Sequence, residues 1–265
     1  MDRQAMISAL AEVYEPREAS LLITYLYQDL FGGRNQLFPD ENLVLEDAFH
    51  RLLKHEPLQY ITGKAYFRDL ILYVAPGVLI PRPETEELVN FALVYAQNRK
   101  ISHILDIGTG SGCIALSLKK KLPDVKITAI DKSEEALAIA RKNAIDLDLE
   151  IDLKRCDFLL EQDRKTLTGA DLIVSNPPYI GREEEVVLAE NVLAYEPHMA
   201  LFADDDPLIF YKAIAAYGGA SKTPVICEIN ERLGAETQAC FVLAGYKNVV
   251  IYKDMQGKDR IIMAH

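Results

Sequence analysis

From residue 101 the chain alternates short apolar runs with helical stretches, and it breaks that alternation only at its end. HILDIG (103–108), KITAID (126–131), EIDLKRCD (150–157), ADLIVSN (170–176) and PVICEI (224–229) have the length and branched apolar content of strands. Between and after them, GCIALSLKKK (112–121), SEEALAIARKNAIDL (133–147, capped by Ser133), PLIFYKAIAAYGG (207–219) and GAETQACFVLAG (234–245) read as helices. Such alternation predicts a parallel, doubly wound α/β sheet. The last two strands, KNVVIYKD (247–254) and RIIMAH (260–265), are joined by the short MQGK loop. No parallel crossover fits in that length, so these two are antiparallel. A seven-stranded sheet with a terminal antiparallel hairpin follows.

The chain upstream is different. Residues 1–58 carry helical spacing in REASLLITYLYQDL and NLVLEDAFHRLLKHEP, with the turn-rich FGGRNQLFPDE between them. A small helical domain of three or four helices is expected there. Residues 59–82 are broken by Gly63, Arg68-Asp69 and Pro76-Gly77 and read as a β-hairpin linker. The catalytic domain then spans 83–265. It opens on a helix with Pro83 followed by Glu84, Glu86 and Glu87, acids that complement a helix N-terminus.

Bulk properties narrow the function classes. The net charge is −11 and no Lys/Arg cluster stands out, which opposes a nucleic-acid backbone as direct partner and favours a basic protein surface. No apolar run approaches the roughly 20 residues of a membrane span, and the amphipathic N-terminus is no signal peptide. Cys113, Cys156, Cys227 and Cys240 form no CxxC pair and read as reduced thiols, as in a cytoplasmic protein without a structural metal. No coiled coil or long apolar edge is evident, so a monomer is expected.

Two motifs carry chemistry. In ILDIGTGSGCIAL the glycines Gly108, Gly110 and Gly112 follow the first strand of the sheet and open its first helix. They permit positive φ and close backbone approach by a ligand. Asp131 ends the next strand, where an acid accepts hydrogen bonds from a ribose diol. This spacing also suits a dinucleotide. The antiparallel last strand, however, resembles the sheet of S-adenosylmethionine-dependent methyltransferases. By that resemblance Asp106 lies near the methionine ammonium, and Asp157-Phe158 borders the adenine. Phe158 has an equal reading as a core residue.

The second motif is SNPPYIG, at the end of the fourth strand. That strand is expected beside the first, so Asn176-Pro177-Pro178-Tyr179 faces the same crevice as the glycine loop. An amide or ring-bound amino nitrogen is a poor nucleophile because its lone pair is delocalised. Acceptors on its N–H groups can turn that lone pair toward an incoming methyl. Asn176 offers a side-chain carbonyl, and Pro177 offers a backbone carbonyl held rigid by its own ring and by Pro178. Tyr179 offers a flat face for stacking. Orientation and transition-state electrostatics then supply most of the rate, with no strong base required.

Together these residues resemble N-methyltransferases acting on planar nitrogens, which include adenine-N6 DNA methyltransferases and protein-glutamine N5 methyltransferases. The segments 56–89, LDIGTGSGCIAL, SNPPYI, YEPHMAL (195–201) and YKDMQGKDRIIMAH are similar to the bacterial release-factor glutamine methyltransferases. That resemblance implies a class I methyltransferase fold. It also implies transfer of a methyl from S-adenosylmethionine to the Gln side chain of the Gly-Gly-Gln loop of peptide-chain release factors. Residue by residue, Gly108, Thr109, Gly110, Ser111, Gly112, Asp131 and Phe158 would contact the cofactor, and Asn176 both cofactor and substrate. Pro177, Pro178 and Tyr179 would line the glutamine slot. Arg82, Glu84 and Thr85 would shape the site, with helix capping and interdomain ion pairing as the alternative. Asn230 and the DDDPL segment with Pro207 depart from the family pattern, which touches loop detail. GREEEVV (181–187) reads as a solvated helix start or a contact for a basic partner. His198 reads as structural.

Overall fold

A computed structural model describes residues 2–167, 169–181, 190–203 and 205–265. Four helices come first: α1 (Arg3–Leu10), α2 (Pro16–Phe31), α3 (Pro39–Leu52) and the short α4 (Leu58–Thr62). Proline opens both α2 and α3, where its missing N–H costs nothing. Gly32 closes α2 in the left-handed conformation, its N–H returning to the Gln28 carbonyl. Met6, Leu10, Ile23, Leu26, Phe49 and Leu52 form a core of their own beneath these helices.

The hairpin expected in the linker is β1 (Lys64–Phe67) with β2 (Leu70–Tyr73), turning at Arg68-Asp69. The element α5 (Pro83–Gln97) leads into the alternating region. There follow β3 (His103–Ile107), α6 (Cys113–Lys121), β4 (Lys126–Asp131), α7 (Glu134–Asp146), β5 (Asp152–Arg155), α8 (Glu161–Arg164) and β6 (Leu172–Ser175). Then come α9 (Glu190–Tyr195), α10 (His198–Leu201), α11 (Ile209–Ser221), β7 (Val225–Glu228), α12 (Gly234–Leu243), β8 (Val249–Lys253) and β9 (Asp259–Ala264). The Ser133 hydroxyl accepts from the Ala136 N–H, which caps α7 as its sequence predicts.

The seven strands stand in the order β5-β4-β3-β6-β7-β9-β8. Neighbours from β5 to β7 are parallel, and β9 is antiparallel to both β7 and β8. The terminal hairpin is therefore antiparallel, as its short loop requires. One sheet face buries Leu88, Val89, Ile114 and Leu116 of α5 and α6 together with Phe67 and Leu72 of the hairpin. The other buries Tyr211 and Ile214 of α11 and Phe241 of α12. Strand β5 is shorter than its apolar pattern suggests, because as an edge strand it finds a partner on one side only.

One buried side chain ties the hairpin to both α7 and the glycine loop. Asn143 of α7 is buried; its Oδ1 accepts from the Tyr73 N–H at 2.7 Å, and its Nδ2 donates to the Tyr73 and Ser111 carbonyls, each at 2.9 Å. One amide thus joins β2, α7 and the glycine loop. Replacing Asn143 with Ala strands these backbone groups and is expected to cost about 2–3 kcal/mol in a denaturant titration. A loss below about 1 kcal/mol would show that the bridge is incidental.

Candidate active site

The register of β3 and β6 decides where the chemistry sits. Ile107 pairs with Ser175, so Gly108 and Asn176 leave the sheet side by side at its carboxyl edge. The buried Ser175 hydroxyl donates to the Ile107 carbonyl at 2.8 Å and locks that register. With β4 on one flank of β3 and β6 on the other, this is the switch point of the sheet, where open α/β folds hold ligands.

The three loop glycines all have positive φ, but for different uses. A Cβ at Gly108 or Gly110 would project into open space, so both leave a cradle of bare backbone. A Cβ at Gly112 would lie 3.1 Å from Leu116 Cδ1 and 3.3 Å from Ala140 Cβ. Gly112 therefore serves the close packing of α6 on α7, a role the sequence reading did not separate from ligand approach. Asp131 holds the loop from below: its Oδ2 accepts from the Gly110 N–H and its Oδ1 from the Ser133 N–H, both at 2.9 Å. Each of its oxygens keeps a lone pair for a further donor, and burial raises its pKa.

Asp106 is fully buried, and its Oδ2 accepts from the Thr109 hydroxyl at 2.6 Å. Its Oδ1 has no hydrogen-bond partner among the described residues, and neither has the buried Ser111 hydroxyl. Burial, and secondarily repulsion from Asp131, push the Asp106 carboxyl up to about 7 against the Thr109 hydrogen bond. A buried acid with one oxygen unpartnered, beside a glycine cradle, fits a cationic ligand end such as an ammonium. Asp157 pairs with Lys132 at 2.8 Å and accepts from the Leu159 N–H. The Phe158 ring packs edge-on against Tyr217 at 5.5 Å, under the Arg164 guanidinium. At 4% exposed it is a core residue first, the second of its two readings, with little more than an edge left for a ligand.

The tetrapeptide is the centre of a polar network. Pro177 is buried, and Asn176, Pro178 and Tyr179 are half-buried. Asn176 Nδ2 donates to Thr85 Oγ1 at 3.1 Å, and Thr85 Oγ1 donates to Glu228 Oε2 at 2.8 Å. The Tyr179 hydroxyl donates to Glu228 Oε1 at 3.1 Å, while the Asn230 amide reaches the Tyr179 carbonyl at 3.4 Å. Glu228 ends β7 and is 2% exposed; burial raises its pKa, opposed by the two hydroxyls and Arg260 and assisted by Glu84. Of the lead-in residues, Thr85 joins the tetrapeptide directly. Glu84 contributes its field. Arg82 turns instead to Glu196, at 2.5 Å, which also accepts from the Ile80 N–H. The ion pairing given above as the alternative for Arg82 is thus formed, between the lead-in and the YEP segment.

Sequence reasoning missed Glu228 and Glu196. The signal for Glu228 was an acid ending the otherwise apolar run PVICE, since a buried acid demands partners. His198 bonds the Leu193 carbonyl at 3.0 Å and stacks edge-on with Phe202, a structural role. Of GREEEVV, residues 182–187 lie outside the described residues.

Comparison with known proteins agrees with this geometry. The family described as methyltransferase small domain matches residues 90–199. A release factor glutamine methyltransferase from Bacteroides thetaiotaomicron is 43% identical over 97% of this chain and 96% of its own length. One of the same description from Flavobacterium psychrophilum is 39% identical over 98% and 96%. Among solved structures, the hMettl16 catalytic domain in complex with a MAT2A 3'UTR hairpin shares the fold, with a TM-score of 0.56 at 18% identity over 73% of this chain and 74% of that one. With a class I methyltransferase sheet, a glycine cradle beside Asn-Pro-Pro-Tyr and full-length relatives at this identity, the chain belongs to the release factor glutamine methyltransferase family.

Proposed function

We propose that the chain transfers a methyl group from S-adenosylmethionine to the side-chain amide nitrogen (N5) of the Gln in the Gly-Gly-Gln motif of peptide-chain release factors. The observation that carries this is the β3–β6 register, which sets the glycine cradle beside Asn176-Pro177-Pro178-Tyr179. Gly108, Thr109, Gly110, Ser111 and Gly112 hold the donor along the backbone, with Asp106 at its ammonium and Asp131 at its ribose. Asp157 and the edge of Phe158 border its adenine. When bound, the donor supplies an electrophilic methyl on a sulfonium.

The residues of this chain do the rest. Asn176 Oδ1 and the Pro177 carbonyl accept the two N–H bonds of the target amide and turn its lone pair out of conjugation. Pro178 stiffens that geometry and the Tyr179 ring lies against the amide plane. So held, the target nitrogen would present its lone pair to the methyl that the bound donor would supply, the sulfonium leaving as a neutral thioether. The methylated nitrogen then loses a proton to solvent, so no buried base is needed. Thr85 shapes the slot directly, Glu84 through its charge, and Arg82 by tying the lead-in to Glu196. The helices of residues 1–58 dock the protein substrate, the linker of residues 59–82 carries the hairpin, and residues 83–265 do the chemistry.

The net charge of −11 suits a basic protein partner and not a nucleic-acid chain, and the enzyme works as a cytoplasmic monomer. No described helix is long and apolar enough to cross a membrane. The test is transfer of labelled methyl to recombinant release factor. Label is expected on the protein and lost when its loop Gln becomes Ala. Label on DNA or RNA in its place overturns the reading.

A further inference from the structure

Glu228, Thr85 and Asn176 form a directed chain of hydrogen bonds, and the direction has a consequence for the reacting group. A carboxylate only accepts, and Glu228 lies between the hydroxyls of Thr85 and Tyr179, each of which donates to one of its oxygens. The Thr85 hydrogen is therefore committed to Glu228 Oε2 at 2.8 Å. Thr85 Oγ1 is left with lone pairs only, and at 3.1 Å it can be met only by the amino end of Asn176. The carbonyl end of Asn176 is then forced to face away from the network. Two strand ends and a helix start meet here, from β6, β7 and α5, so the constraint is built by long-range packing.

We propose that Glu228 is a positioning residue that, through Thr85, sets which end of the Asn176 amide faces the acceptor nitrogen, and through Tyr179 fixes the ring beside it. With the amide reversed, an N–H would confront the N–H of the target, and one acceptor would be missing from the transition state. One buried carboxylate thus orients both ends of the tetrapeptide. The inference rests on the methyl-transfer reading given above.

The test compares wild type with Thr85→Val, Thr85→Ser and Glu228→Gln, reading kcat and KM for release-factor methylation and, separately, cofactor affinity by calorimetry. Thr85→Val keeps the shape and removes the acceptor. It is expected to lower kcat about 10- to 100-fold with cofactor affinity within about threefold of wild type. Thr85→Ser restores both lone pairs and the hydrogen, and is expected to recover most of that rate. Glu228→Gln cannot accept from both hydroxyls and is expected to lower kcat as well. The inference is overturned if Thr85→Val keeps kcat within about twofold, if Thr85→Ser is as impaired as Thr85→Val, or if cofactor affinity falls in step with rate. Should Glu228→Gln fail to fold, the Thr85 pair decides alone. If wild type itself labels no release factor, the methyl-transfer reading falls first, and the positioning role with it.

Discussion

Asn176→Ala is expected to lower methyl transfer by at least about a hundredfold while leaving cofactor affinity largely intact. The side chain lies at the point where β6 leaves the sheet, and its amino end is held by Thr85. In the proposed mechanism its carbonyl end would serve the acceptor nitrogen only as that nitrogen leaves planarity, so its contribution would belong to the transition state, and its loss would appear in kcat. In the proposed site the donor would be gripped chiefly from elsewhere, by the bare backbone of Gly108 and Gly110 and the carboxylates of Asp106 and Asp131. Folding is also spared, because Asn176 is half-buried and its removal strands one hydroxyl oxygen that keeps its bond to Glu228. Labelled-methyl transfer measured beside calorimetric cofactor binding checks this. Binding lost in parallel with activity would show that Asn176 serves the donor and not the acceptor.

The same residues show what a sequence can carry. Strands β3, β4, β6 and β7 were readable because each is a buried apolar run bounded by turns, a purely local signal. The antiparallel end was readable from the length of one loop. The helices α4 and α8 were not, since five and four residues hold no more than one turn or so and so no periodicity. The Thr85–Glu228 bond spans 143 positions and the Arg82–Glu196 bond 114, and neither leaves a trace in local spacing. The first becomes visible only once strand order sets β7 beside β6. The Gly-rich loop was legible as a tight strand-to-helix turn, but the division of labour among its glycines was not. Gly112 packs against Ala140, a contact that depends on where α7 lies. Phe158 shows the same limit, as its position after β5 suits a core ring and a ligand border equally well.

Asp106→Asn is expected to weaken cofactor binding by about a hundredfold near pH 7 and to remove most of its dependence on pH. In the free protein, burial pushes Asp106 up to about 7 from an ordinary value of 3.8. Its folded pKa is raised, so the folded state holds a proton that the unfolded state has already released. Stability falls as pH rises from about 4 to about 7, and the whole penalty, on the order of 4 kcal/mol at most, is present above that window. On the proposed reading the donor's ammonium would discharge this penalty at the unpartnered Oδ1, because an opposite charge stabilises the ionised carboxyl. Binding near or below pH 7 must then expel a proton, and wild-type affinity should climb through this range. The facing groups include Thr109, which donates to the carboxylate, and Asp131, whose charge opposes it. The amide of the Asp106→Asn variant carries no charge to neutralise, so the variant should also lose the share of the stability slope that Asp106 contributes between about pH 4 and 7, leaving that of Asp131 and Glu228. Titration of cofactor from about pH 5.5 to 7.5, in buffers of different ionisation enthalpy, reads the proton release directly. A wild-type affinity that is flat across that range, with no proton released, would overturn the linkage: Asp106 would then be ionised before the donor arrives or would not meet its ammonium.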